Sequence, residues 1–135
     1  MRRFILAMGT LALFACGDST GVVQNVNGSY NLQTVNGFSL PFTFSPQGAF
    51  TTQQITADVI TANSGSFTDV TTERDTNTQT GVPSTFTTSD TGTYIINGTA
   101  VTFTFLSDGS TGSGTISGNT FTIVEPGFSL VYTHQ

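Results

Sequence analysis

The sequence predicts an all-β domain, arranged as an antiparallel up-and-down barrel of about eight strands. Beyond residue 15 the chain is rich in Thr, Val, Ile, Phe and Tyr, which favour strands, and poor in good helix formers. Turn dipeptides also recur at short intervals in the C-terminal half, as they do between the strands of a meander. A sheet of this size with one apolar face must be covered or must close, and closure into a barrel removes both edges. A two-sheet sandwich is the alternative architecture.

The C-terminal half contains four turn signals, which we treat as two-residue hairpin loops: Asn97-Gly98, Asp108-Gly109, Gly118-Asn119 and Pro126-Gly127. These loops predict which residues lie opposite each other, and opposed residues share a face of the sheet. The predicted inner face is apolar: Tyr94, Val101, Phe103, Phe105, Ile116, Phe121, Ile123, Leu130 and Tyr132. The predicted outer face carries mostly Thr and Ser. The first loop would place Tyr94 opposite Val101, and the second would place Phe103 opposite Gly114.

The strands nearest the N-terminus are predicted from a weaker pattern. We expect strands around Tyr30–Thr34 and Leu40–Phe44. A three-residue loop at 36–38 would bring Leu32 opposite Phe42.

Two further strands are expected before the meander. In the first, Ile55, Ala57 and Val59 alternate with polar residues and so predict one buried face. The second begins near Phe67. Residues 75–83, with the sequence DTNTQTGVP, are predicted to form an exposed loop.

The first 15 residues are predicted to be a secretory signal peptide. Two arginines follow Met1, and residues 4–15 (FILAMGTLALFA) are uncharged and mostly apolar. Twelve residues are too few to span a bilayer as a helix, which needs about 20, but they fit the apolar core of a signal peptide. The alternative is a buried helix of a globular domain. The abrupt change of composition at Cys16 disfavours it.

The charge balance of the remaining chain excludes several partners. Arg74 is the single basic residue beyond the leader, all eight acidic residues lie there, and the chain has no lysine. Binding to nucleic acid through phosphate contacts needs clustered Lys and Arg, and so does binding to an anionic membrane surface. We therefore expect no nucleic-acid partner.

The sequence offers little for catalysis, metal binding or a cofactor. His134 is the only histidine and is expected in a solvated tail, so no Ser-His-Asp or Cys-His set is predicted. His/Cys metal sites lack their ligands, and no glycine-rich phosphate loop is present. Asp69 and Glu73 are expected to be exposed on a strand, and Asp90 and Asp108 to lie in turns. An enzyme would need two carboxylates that converge in a cleft, so we expect no enzyme, metal or cofactor.

The barrel interior is the remaining candidate site. An eight-stranded barrel is either filled by its own side chains or holds one small ligand. The aromatic residues of the predicted inner face are the candidate ligand contacts: Tyr94, Phe103, Phe105, Phe121 and Tyr132. They would equally fill a solid core, and the sequence leaves both readings open.

Residues 13–16 (LFAC) resemble the lipobox of bacterial lipoproteins. Leu13, Ala15 and Cys16 match that motif, whereas Phe14 is bulkier than the residue usual at its position. The resemblance implies a lipid anchor on Cys16, with acyl chains such as palmitate, and a location in the cell envelope, on the periplasmic or outer surface of a bacterial membrane. Residues 16–27 would then be the lipidated cysteine and a polar tether. The alternative is ordinary signal-peptide cleavage after Gly17, which would discard Cys16.

The segment GSYNLQTVNGFSLPFTF resembles the opening strands of the small lipocalin-like barrels of bacterial lipoproteins. Gly28 and Tyr30 stand where the lipocalin Gly-x-Trp motif has its glycine and tryptophan, and the five predicted strands from residue 92 to the C-terminus resemble the closing meander of these barrels. The resemblance implies that residues 28–135 form a barrel that binds a small hydrophobic ligand. The alternative is a structural, adhesive or protein-interaction domain with a filled core. An open cavity would favour the first function, and a filled interior with an uncovered apolar patch would favour the second.

Overall fold

The fold is known for most of the predicted barrel domain. A computed structural model of the chain describes residues 25–44 and 51–135. The predicted signal peptide, Cys16 and most of the predicted tether lie outside the described residues. No helix among the described residues is long and apolar enough to cross a membrane.

The architecture is the predicted closed antiparallel barrel of eight strands. The described residues form ten strands: β1 (Gly28–Val35), β2 (Phe38–Ser39), β3 (Phe42–Thr43), β4 (Thr51–Asn63), β5 (Ser66–Asn77), β6 (Pro83–Asn97), β7 (Ala100–Phe105), β8 (Thr111–Ser117), β9 (Thr120–Glu125) and β10 (Phe128–His134). Strands β4 to β10 pair in sequential order, and β1 pairs with both β10 and β4. Those two pairings close the barrel, while β2 and β3 are short additions at its rim.

Two of the four predicted hairpins have the predicted register. Ile116 lies opposite Phe121 across the turn at 118–119, and Ile123 lies opposite Leu130 across the turn at 126–127. A two-residue loop therefore describes both connections.

The other two hairpins are each displaced by two residues from the prediction. Tyr94 lies opposite Phe103 rather than Val101, because the loop is at 98–99. Phe103 lies opposite Gly112 rather than Gly114, because the connection is longer than two residues. Side chains alternate with a period of two, so a shift of two residues leaves every side chain on its predicted face.

The predicted hairpin near the N-terminus is wrong in its pairing. The turn has two residues, at 36–37, and β3 pairs with β4 rather than with β1. Leu32 therefore lies opposite Tyr132, not opposite Phe42. Pro41, which follows a cis peptide bond, separates β2 from β3 and has no N–H for a ladder.

A β-bulge in β4 overturns the predicted alternation of Ile55, Ala57 and Val59 on one face. The register shifts between Ile55 and Ala57, and the hydroxyl of Thr56 donates to the Thr72 carbonyl at 3.0 Å. The extra residue moves every later side chain of β4 to the opposite face of the strand. Beyond the bulge, the buried residues are Asp58, Ile60 and Ala62.

Three smaller expectations also change. The predicted loop at 75–83 is shorter, because β5 continues to Asn77 and β6 begins at Pro83. Asp90 lies in β6 and not in a turn. His134 belongs to β10 and packs edge-to-face on Tyr30 at 5.0 Å, so it is not a solvated tail.

The two ends of the barrel differ in their filling. At one end, here called the closed end, lie the turns at 64–65, 98–99 and 118–119. Phe103 is central to its aromatic core, with ring centroids 5.1 Å from Phe67 and 5.1 Å from Phe121. The opposite end carries the loop between β7 and β8 and the turn at 126–127, and it is called the acidic end.

Candidate ligand-binding site

A cavity of about 230 Å³ lies inside the barrel toward the acidic end. We call it the acidic cavity. Five of the barrel strands line it, namely β4, β5, β7, β9 and β10. Its apolar wall consists of Ile55, Ile60, Phe67, Phe103, Phe105, Ile123 and Leu130, and its polar wall of Asp58, Asp69, Thr71, Glu73, Glu125 and Tyr132.

Asp58 is the most deeply buried carboxyl group of the described residues, with 7 % of its surface exposed. The bulge at Thr56 places it inside the barrel. The Tyr132 hydroxyl donates a hydrogen bond to Asp58 Oδ2 at 3.0 Å, and Tyr132 itself is 1 % exposed. Burial raises the pKa of Asp58, and hydrogen bonds from Asp69, Tyr132 and Thr71 partly offset that rise.

Asp69 is a close neighbour of Asp58, because Asp58 on β4 lies opposite Thr71 on β5, two residues along the strand from Asp69. Two buried carboxyl groups this close to each other disfavour simultaneous ionisation. Burial raises the pKa of Asp69 to about 8, and the hydrogen bond to Asp58 and the nearby acidic charges act in the same direction. At neutral pH the pair therefore holds one proton.

The sequence-based expectation that Asp69 and Glu73 are exposed is wrong. Both are partly buried and line the cavity. A signal for this exists in the sequence, because Asp69 and Glu73 follow Phe67 at intervals of two and of six residues. Side chains at even spacings share one face of a strand, and Phe67 is buried. Asp58 has no comparable signal, because the bulge that turns it inward is not visible in the sequence.

The Tyr132 hydroxyl acts as a hydrogen-bond donor throughout the physiological pH range. Burial raises the pKa of Tyr132, and the negative charges of Asp58 and Asp69 raise it further. Tyr132 and the carboxyl pair thus form one hydrogen-bonded group on the wall of the cavity.

The predicted ligand contacts all face the barrel interior but belong to two different spaces. Phe103, Phe105 and Tyr132 line the acidic cavity. Tyr94 and Phe121, together with Phe103, line a void of about 20 Å³ at the closed end. That void has room for roughly one water molecule. The closed end is therefore filled, and the acidic end has the space for a ligand.

No metal centre is found among residues 25–44 and 51–135, where no three His, Cys, Asp or Glu residues are grouped to hold an ion. His134 lies at the closed end, with its Nε2 atom 3.4 Å from the Asn27 carbonyl oxygen. It is therefore remote from the carboxyl pair.

Comparisons with protein-family models, with curated proteins and with solved structures gave no match. The eight-stranded antiparallel barrel is consistent with the lipocalin-like resemblance of the sequence. What the cavity can do must be argued from its own side chains.

Proposed function

We propose that the protein binds one small organic molecule in the acidic cavity and is held at a bacterial cell-envelope membrane by a lipid on Cys16. The observation that carries the binding proposal is the cavity itself. A protein cavity of roughly 150 Å³ holds a benzene molecule. At about 230 Å³, the acidic cavity suits a somewhat larger molecule, such as a substituted single ring.

A structural domain with a filled core is the alternative, and the buried carboxyl pair argues against it. Burying a carboxyl group without full hydrogen bonding costs stability. The Oδ1 atoms of Asp58 and Asp69 are buried and accept no hydrogen bond from a donor group of the described protein. Apolar side chains at these positions would make a more stable solid core, so the pair is better explained by a ligand.

The converging carboxyl groups also meet the condition for a carboxyl-based enzyme. Glycoside hydrolysis, however, requires the scissile bond to lie between the two groups, which are about 5 Å apart or more. Asp58 and Asp69 are neighbours on the paired strands β4 and β5, so they lie side by side on one wall of the cavity and do not face each other across a substrate. Binding without catalysis is therefore the function that this geometry supports best.

Small aromatic compounds test the binding proposal. Neutral, cationic and anionic probes of one ring each would be titrated into isotope-labelled barrel domain, followed by NMR of the Phe103 and Tyr132 resonances. We expect saturable shifts for at least one probe. Ile55→Trp places a large ring in the cavity wall and should abolish them, whereas Ala57→Trp, on the outer face of the same strand, should not. If no probe binds, or if Ile55→Trp binds as wild type does, the proposal is wrong.

Lipidation of Cys16 is supported by the match of Leu13, Ala15 and Cys16 to the lipobox pattern. Cys16→Ser should abolish acyl-chain incorporation and release the domain from membranes. Mass spectrometry of the mature N-terminus checks the first result, and membrane fractionation checks the second. Unchanged labelling and membrane association in Cys16→Ser would refute the anchor.

A further inference from the structure

We propose that the ligand of the acidic cavity is an organic cation, a protonated amine attached to a small apolar body. This inference rests on the proposed binding function and specifies its ligand. The ammonium group of this ligand would lie against Asp58 and Asp69, and its apolar body against the apolar wall of the cavity.

Every charged group of residues 25–44 and 51–135 that faces the carboxyl pair is acidic. Glu73 on β5 and Glu125 on β9 line the same cavity, and Asp90 on β6 lies directly opposite Asp69. The facing group on β10 is the neutral Tyr132 hydroxyl, which donates a hydrogen bond to Asp58 Oδ2.

The described part of the chain supplies no cation to balance these acids. Its single arginine, Arg74, is exposed and donates to Gln54 Oε1 at 2.6 Å, so it is engaged away from the pair. The chain has no lysine. A charge of opposite sign must therefore come from a proton or from a ligand.

Asp58 offers an acceptor that the described protein leaves unused. It is 7 % exposed, it lines the cavity, and its buried Oδ1 atom receives no hydrogen bond from a donor group. The same holds for Oδ1 of Asp69. An ammonium group carries three N–H donors and no acceptor, so it matches a wall that lacks only donors.

Asp90 shows how this chain satisfies a carboxylate that it keeps for structure. The Ser107 hydroxyl donates to Asp90 Oδ2 at 2.6 Å, and the Thr91 amide donates to Oδ1 at 2.7 Å. Both oxygens of Asp90 thus have partners from the protein itself. The contrast with Asp58 and Asp69 indicates that the pair is open toward the cavity.

The apolar part of the cavity lining determines the remainder of the ligand. Ile55, Phe105 and Leu130 are partly exposed apolar side chains that line the cavity. An inorganic cation would leave these side chains in contact with water. An aryl or alkyl group would cover them and gain the free energy of apolar burial.

Binding of the amine would displace the proton that the pair holds in the free protein. In the free state one carboxyl is protonated and the other ionised. With the ammonium group in place both are ionised, and the displaced proton passes to solvent. Affinity should therefore rise with pH from about pH 5 to pH 8, as long as the amine stays protonated.

Three ligands of similar shape and different charge test the proposal: 2-phenylethylammonium, 2-phenylethanol and 3-phenylpropanoate. Isothermal titration calorimetry at pH 7 should give the tightest binding for the cation, by roughly tenfold or more over the alcohol, as one charge-assisted hydrogen bond can supply. The carboxylate should bind most weakly. Titrations in buffers of different ionisation enthalpy should show release of about one proton per cation bound.

Two variants distinguish an effect on recognition of the ligand's charge from a loss of the folded binding site. Asp69→Asn should bind the cation without releasing a proton, because Asp58 is then the one ionisable group of the pair, and it should still bind 2-phenylethanol. Asp108→Asn, which removes an exposed carboxylate, should behave as wild type. Equal binding of cation and alcohol, tighter binding of the carboxylate, or no proton release would each overturn the cation proposal and leave ligand binding intact. Failure of all three compounds to bind would overturn both.

Discussion

Replacing Asp69 with asparagine tests the proton that the carboxyl pair shares. In the native protein Asp69 has a pKa of about 8, against 3.8 for an unperturbed aspartate. Between these two values the native state holds a proton that the unfolded state has lost. Stability must therefore fall as pH rises through this window. Asparagine keeps the shape, can still donate a hydrogen bond to Asp58, and does not ionise.

The size of the effect follows from proton linkage. One extra proton bound by the native state changes the free energy of unfolding by roughly 1.4 kcal/mol per pH unit. From pH 5 to pH 7 the wild-type protein should thus lose on the order of 2–3 kcal/mol. Asp108, whose pKa is lowered by hydrogen bonds from Ser110, adds no slope here because its window lies below pH 4.

Urea denaturation at several pH values between 5 and 8 measures the slope. The free energy of unfolding of Asp69→Asn should be nearly independent of pH over this range. Relative to wild type, the variant should therefore become more stable as pH rises. Asp108→Asn, an exposed carboxylate changed in the same way, should retain the wild-type slope. A wild-type stability that is constant or increases from pH 5 to pH 8 would refute the shared proton.

Three further substitutions probe the barrel, each measured by denaturation. Phe103→Ala should lower the free energy of unfolding by roughly 3–5 kcal/mol because it leaves a cavity in the aromatic core. Thr104→Ala on the outer face should change it by no more than about 0.5 kcal/mol. Similar losses in the two variants would show that the faces are wrongly assigned. Gly114→Ala should lower stability by about 1–3 kcal/mol, because the added Cβ would lie 2.7 Å from the Thr122 carbonyl oxygen on the next strand. Gly112→Ala should leave stability nearly unchanged, because its Cβ would lie 3.7 Å from the nearest atom, on the Phe105 ring. Tyr132→Phe removes the donor to a buried carboxylate, so it should cost about 1.5–3 kcal/mol at pH 7 and less at pH 3, where Asp58 is protonated; a loss independent of pH would contradict that role.

The inner face of the meander could be predicted because it depends on short turns and on the alternation of neighbouring side chains, both of which are local in the sequence. The turns at 118–119 and 126–127 are short enough to determine their register. The other two loops were displaced by two residues, and the faces survived because side chains alternate with that period. The alternation of Phe103 and Phe105 with threonines then assigns the apolar side to the interior.

The acidic cavity could not be predicted in the same way because it depends on contacts distant in sequence. The bulge at Thr56 appears only when β4 is paired with β5, and that single residue moves Asp58 from the outer face to the interior. The hydrogen bond between Tyr132 and Asp58 spans 74 residues. The inward orientation of Asp69 was predictable from its spacing to Phe67. Because charged side chains are mostly exposed in proteins, however, an exposed position was the ordinary expectation.

The most direct test of the cavity is the titration of Asp58 and Asp69 themselves, followed by carbon-13 NMR of their side-chain carboxyl groups. In the free protein we expect Asp69 to titrate near pH 8, and Asp58 above its ordinary value. Saturation with 2-phenylethylammonium should lower the pKa of Asp69 markedly, because the bound cation favours the ionised form. Titration of both groups near pH 4, unchanged by the cation, would contradict both the buried proton and the site built on it.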